Sequence, residues 1–226
     1  MNINGLDIMD SYICDRRSGE RLMPVNEVTH FSYEIKGVPI IGKGRFNQGP
    51  TQYDMLTGAG QVSPTYIFAA QAVEVAVDPE TGVVKVLEFV AAHDPGVAVN
   101  PVMAEGQVEG GLAQGIGYAL AEGLAFDNDG KALNSSFADY KVLRPQDMPR
   151  KISTIIVETR DSRAPFGAKA LGEAVMIPTA PAIANAIEDA VGVRVTELPI
   201  TPEKVVNALI KIERRDKRWQ ATDIVT

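Results

Sequence analysis

Phe166-Gly167-Ala168-Lys169-Ala170-Leu171-Gly172-Glu173 sets a carboxylate directly behind a glycine-rich run, and Ala174-Val175-Met176-Ile177-Pro178-Thr179 then leads into an apolar helix. Gly167 and Gly172 permit bends and close approaches that a Cβ forbids. A glutamate held where a loop meets a rigid element can be aimed at a reacting atom, and a carboxylate can serve as a general base. On residue chemistry alone the stretch also reads as a structural loop with a surface glutamate.

Gln107 is a second candidate. It lies in a stretch that reads as a helix yet contains Gly106, Gly110, Gly111, Gly115 and Gly117. Each interior glycine costs about 0.5–1 kcal/mol relative to alanine. Close packing against another backbone or a bulky ligand would offset that cost. Gln107 offers both a donor and an acceptor in the glycine-lined first half. A helix packed tightly on a sheet, with Gln107 exposed, accounts for the pattern equally well. His30 and His93 lie in no metal-ligand spacing, so no protein-ligated metal is expected. The one cysteine, Cys14, can form neither an internal disulfide nor a thiolate cluster, so the chain itself holds no iron–sulfur centre. A reducing compartment, by default the cytoplasm, suits it.

With 226 residues and an ordinary apolar fraction, the chain can bury a sizeable core. Its net charge of −7 argues against nucleic acid or an anionic membrane as the main partner. Met1 to Asp10 carries no basic segment followed by an apolar run, so no secretory signal is read there. No apolar stretch is long enough to cross a bilayer.

Several elements must position these residues. Ser11 to Met23 reads as a hairpin turning through Asp15 to Gly19, followed by a helical turn or two from Pro24 to His30. Phe31 to Ile41 reads as a strand broken by Gly37 and Pro39, and Gly42 to Gly60 as a long connection. Thr65–Val77 and Val83–Ala92 form a second hairpin, with Val73, Val75 and Val77 on one face. Asn100 caps a helix that opens at Pro101 and reaches about Gly123. Lys151–Thr159 is a strand, and Thr179 to Ala190 a helix stopped by Gly192. Val193–Glu197 is a short strand, and Thr201 caps a last helix from Lys204 to about Arg215. The charged tail around Arg214, Arg215, Lys217 and Arg218 reads as a solvated end. The expected organisation is an amino-terminal hairpin and connecting segment over 1–60, then one larger domain over 61–226.

These pieces resemble the carboxy-terminal part of the molybdenum-binding subunit of the xanthine dehydrogenase/aldehyde oxidase family. The resemblance rests on VEVAVDPETG, AAHDPGVAVNP, AEGQVEGGLAQGIGYAL, PFGAKALGE and IPTAPAIANAIEDAVGVRVTELPITPEKV, in that order, covering most of Thr65 to Leu209. It implies an α+β fold of mixed sheets with packed helices, like the second molybdopterin-binding half of a molybdenum hydroxylase large subunit. Glu173 matches the family's active-site base, and Gln107 the glutamine against the pterin. Lys169, Ala170, Leu171 and Gly172 would line the cofactor through backbone groups. The metal would be held by the pterin's dithiolene, with no protein ligand.

The implied reaction is hydroxylation with oxygen from water, at a carbon beside nitrogen in a heteroaromatic ring or at an aldehyde carbonyl. Glu173 would take up the proton, as a buried carboxylate whose pKa its surroundings tune. The implied cofactor is of the molybdopterin type, the cytosine dinucleotide form included, and is shared with a partner chain. Iron–sulfur centres and FAD would lie on other subunits. The implied partners are the other half of the molybdenum subunit, an iron–sulfur subunit, an FAD subunit and a small-molecule substrate. Two departures stand out: Ala174-Val175 follows the glutamate where the family often has proline, and no counterpart of the family's earlier cofactor loops precedes Gly60. The expectation is a separately encoded small subunit of a split enzyme, since Met1 leads into a plausible hairpin; a fragment of a longer chain is the other reading. A non-catalytic assembly subunit is the competing function, and an unrelated ligand-binding domain a third.

Overall fold

The computed structural model describes residues 5–47, 52–63 and 65–222. By packing, the chain divides into two units, Met1–Asn47 and Gln48–Thr226. In the first, β1 (Leu6–Met9), β2 (Tyr12–Asp15) and β3 (Arg21–Pro24) form an antiparallel meander in chain order. The predicted hairpin is β2–β3, and β1 is an addition that sequence reading missed. Helix α1 (Val25–His30) follows at the expected place.

Beyond α1 the expected strand is absent. Phe31–Ile35 continues as a π-helical turn, with the Lys36 amide donating to the Phe31 carbonyl at 3.1 Å. Phe31, Tyr33 and Ile35 do alternate with polar residues. A helix already nucleated at Val25, however, satisfies each backbone group locally, which a lone strand cannot do.

The second unit holds the candidate site. β4 (Ala69–Val77) and β5 (Val84–His93) are antiparallel, and β6 (Lys151–Ile156) adds to β5 in parallel, giving the order β4-β5-β6. The sheet is thus mixed, as expected. From Gln71 onward the odd-numbered residues of β4 are half-buried, while its even-numbered ones are exposed. Helix α2 (Pro101–Leu120) starts where the Asn100 side chain accepts the Met103 amide at 3.1 Å. Helix α3 (Thr179–Val191) ends at Gly192, and α4 (Pro202–Thr222) begins behind Thr201. Phe89 from β5, Leu112 and Ile116 from α2, and Ile183 and Ile187 from α3 are buried together in one core. Each such side chain contributes about 1.5–3 kcal/mol of transfer free energy.

Two further expectations give way. Val193–Glu197 is not a strand: Val193 is buried and Val195 packs on the core, but no neighbouring strand completes a ladder. The last helix runs past Arg215 to Thr222. The side chains of Arg214, Arg215, Lys217 and Arg218, and the whole of Met1, lie outside the described residues. Among the described residues no helix is long and apolar enough to cross a membrane.

Candidate active site

Glu173 opens a short 3-10 turn, Glu173–Val175, immediately ahead of α3. The back of this turn is seated on α2. A Cβ built on Gly111 would lie 2.6 Å from Val175 Cβ, and one on Gly115 would lie 2.5 Å from Thr179 Cβ. Real side chains do not approach so closely, so only glycine at these two positions lets the turn settle. Val175 and Thr179, spaced like Gly111 and Gly115 at i, i+4, therefore pack onto bare helix backbone. This accounts for two of the glycines. Gly106 and Gly110, by contrast, have nothing within 4 Å of a built Cβ and lie on an exposed face.

Gln107 is exposed on that glycine-lined face, and its Nε2 donates to the Gly172 carbonyl at 3.3 Å. Two sequence-predicted residues, 65 apart in the chain, are thereby brought together. Among the described residues the amides of Ala170, Leu171 and Gly172 donate to no protein acceptor. They are three consecutive N–H groups without a protein partner, and the Oε1 and second N–H of Gln107 are likewise unpaired among the described residues. Such a surface suits a ligand rich in oxygen and nitrogen acceptors, and a molybdopterin-type group is one.

The Glu173 carboxylate is exposed rather than buried in this chain. Among the described residues no element of the chain closes over it. No group of three or more His, Cys, Asp and Glu gathers into a metal site among the described residues. A hollow of about 1010 Å³ lies elsewhere, against Val84, Ile116, Phe137 and Tyr140, and none of these site residues lines it.

Lys169 behaves differently from its three followers. Its amide is engaged with the Pro95 carbonyl at 2.7 Å, and its side chain turns inward. Nζ reaches Asp94 Oδ2 at 2.6 Å and Thr159 Oγ1 at 2.8 Å, with only 7% and 4% of the Lys169 and Asp94 side chains exposed. Asp94 also accepts from the Thr159 hydroxyl, from the Thr159 amide at 3.2 Å and from the Gly96 amide at 2.9 Å. Burial pushes the Asp94 carboxyl up, but the hydrogen bonds from Lys169, Thr159 and Gly96 outweigh it and hold the group at about 2. Gly96, at φ +66, sits directly against the Gly167 carbonyl, an approach that a Cβ would block. Lys169 thus fastens the start of the 170–173 loop to the end of β5.

Sequence reasoning missed Gln71, His93, Asp94 and Thr179. Gln71 Nε2 donates to the Val175 carbonyl at 2.9 Å and stands 3.0 Å from His93 Nε2, while Thr179 Oγ1 donates to Gln71 Oε1 at 2.9 Å. His93 is fully buried, and burial pushes its imidazolium pKa down. A signal was available. Gln71 interrupts the inward, apolar parity of Val73, Val75 and Val77, and His93 shares the buried parity of Phe89 and Ala91.

A family model of the molybdopterin cofactor-binding domain matches residues 2–149, a span that takes in Gln107 but stops short of Glu173. The chain is 37% identical to the probable hypoxanthine oxidase XdhD of Escherichia coli over 182 residues, 79% of this chain and 19% of that protein. It is 40% identical to the nicotine 6-hydroxylase large subunit of Paenarthrobacter nicotinovorans over 148 residues, 64% of this chain and 18% of that one. An aldehyde oxidoreductase structure from Desulfovibrio desulfuricans superposes with a TM-score of 0.67 at 32% identity, covering 84% of this chain and 20% of that chain. The chain belongs to the molybdopterin cofactor-binding family of the xanthine dehydrogenase and aldehyde oxidoreductase molybdenum subunits, and its α+β fold is theirs. It spans about a fifth of the length of the curated relatives it matches.

Proposed function

We propose that this chain provides the proton-accepting carboxylate, and one wall of the cofactor site, in a multi-subunit molybdenum hydroxylase. Its substrate would be an N-heteroaromatic compound or an aldehyde, the two kinds of chemistry named in the nicotine hydroxylase and aldehyde oxidoreductase relatives. The carrying observation is that Glu173 directly follows the free amides of 170–172, which Gln107 joins through Gly172, in a chain of this family.

When bound, the molybdenum cofactor would supply the two-electron oxidation that inserts oxygen from water. Gln107 and the amides of Ala170, Leu171 and Gly172 would hold the pterin by hydrogen bonds. Lys169 would steady that loop from behind through Asp94. Glu173 would take up the proton released as the substrate carbon is hydroxylated. Its exposure in the single chain leaves room for a partner, the other half of a molybdenum subunit, to cover and desolvate it. An iron–sulfur subunit and an FAD subunit would carry the electrons onward. The 61–226 part would form the carboxy-terminal part of the molybdopterin-binding domain, and the lone thiol suits the cytoplasm.

Glu173→Gln in the assembled complex tests this reading. Turnover should fall about 10²–10⁴-fold with molybdenum still bound, the usual range for loss of a general base. Undiminished turnover would instead make the chain a scaffold subunit.

A further inference from the structure

Gln71 stands on β4, 104 residues before Val175 and 108 before Thr179. The Val175 carbonyl can only accept, so the Gln71 atom against it is the amide nitrogen. The second hydrogen of that nitrogen is left for His93 Nε2 at 3.0 Å, which makes this ring nitrogen the acceptor and places the ring proton on Nδ1. Gln71 Oε1 takes the Thr179 hydroxyl at 2.9 Å, the nearer of that hydroxyl's two acceptors, the other being the Val175 carbonyl at 3.1 Å. The whole amide is thus committed, and two of its three bonds go to the segment that carries Glu173.

From the opposite side the same two residues, Val175 and Thr179, rest on Gly111 and Gly115. They are gripped between β4 and α2, both fully buried, while Glu173, two positions ahead of Val175, is exposed. A short turn of this kind has few bonds of its own. In the Glu173–Val175 turn the Met176 amide reaches the Glu173 carbonyl at 3.1 Å, and the Thr179 amide reaches Met176 at 3.1 Å. The direction of the carboxylate therefore depends on what holds its two anchors.

We propose that Gln71 is a positioning residue for Glu173, clamping the Val175 carbonyl and the Thr179 hydroxyl so that the turn presents its carboxylate in one direction; this rests on the reading of Glu173 as the base. His93 completes the clamp by occupying the remaining amide hydrogen of Gln71. Misplacing a reacting group by about 1 Å can cost on the order of 10²-fold in rate, so such a clamp has a kinetic consequence without touching substrate.

The test is made on the assembled complex with Gln71→Met, which nearly conserves volume and removes all three bonds. Hydrogen exchange of amides 173–177, followed by mass spectrometry, should quicken about tenfold while β5 keeps its wild-type rate. Molybdenum content and KM should hold while kcat falls. Wild-type exchange at 173–177 would overturn the proposal, and so would an equal quickening in β5, which marks a general loss of packing. Should Gln71→Met fail to assemble, Thr179→Val and Thr179→Ser replace it. The serine variant should keep slow exchange and the valine variant lose it, and identical behaviour of the two sinks the clamp. Glu173→Gln in parallel separates the claims, because normal turnover there removes the base while the exchange data still decide the clamp.

Discussion

Gln107 Nε2 donates to the Gly172 carbonyl at 3.3 Å, joining the glycine-rich helix to the residue just before Glu173. The bond is long and exposed, so it belongs at or below the low end of the ~0.5–1.5 kcal/mol that a protein hydrogen bond contributes net. Its value is in placing a free acceptor and a free donor beside the open amides of 170–172. Gln107→Ala should therefore leave the unfolding midpoint of the chain within ~0.5 kcal/mol of wild type. In the assembled complex it should lower molybdenum and pterin retention about tenfold, one lost cofactor hydrogen bond's worth. Metal analysis and urea titration check both halves; a shifted midpoint with full molybdenum would make Gln107 purely structural.

The glycines of α2 fall into two sets that should respond oppositely to alanine. Gly111→Ala or Gly115→Ala drives a methyl into Val175 or Thr179 and should cost about 1–3 kcal/mol by overpacking. Gly106→Ala meets open space and should stabilise the chain by about 0.5–1 kcal/mol, the ordinary helix propensity gain. Thermal unfolding of the three variants is the measurement. If the open glycines face a cofactor, Gly106→Ala should also weaken its retention even as the chain grows more stable.

Removing one partner of a buried ion pair strands the other. Lys169→Met leaves Asp94 ionised with only Thr159 and the Gly96 amide around it, and should destabilise by about 3 kcal/mol. The loss should appear as a lower urea midpoint. Exchange at the Val97 amide, which is bonded to the Gly167 carbonyl at 2.9 Å, should quicken as the 96–97 and 167–169 segments part.

Acid should probe the same pair. The Asp94 carboxyl is held at about 2, below its ordinary 3.8. A carboxylate with a depressed folded-state pKa contributes stability that is complete above the unfolded value and lost as pH falls through the folded one. The contribution, on the order of 2 kcal/mol, should therefore be intact at about pH 5 and drain away between about pH 4 and pH 2. Stability measured across that window should slope for the wild type. Asp94→Asn should remove its share of the slope; an unchanged slope would place the titrating group elsewhere.

Much of the chain was legible from local pattern alone. The alternation of Val73, Val75 and Val77 specified β4, Asn100-Pro101 specified the start of α2, and Gly192 the end of α3. In each case the determining interactions lie within a few residues of one another. The same local rules misjudged Phe31–Ile35 and Val193–Glu197, where strand-like spacing had no partner strand to pair with. Motif order likewise singled out Glu173 and Gln107 as candidates, but not their surroundings.

Only the packed chain decided which long-range partners meet. Lys169 turned inward to Asp94, 75 residues away, and Gln71 reached Thr179 across 108, because sheet register and the Gly111–Gly115 face of α2 bring those backbones close. Sequence spacing carries no record of such distances. It records what each residue can donate, accept or bury, and tertiary packing then determines which of those capacities are used inside the chain and which, at Gln107 and Glu173, remain turned outward.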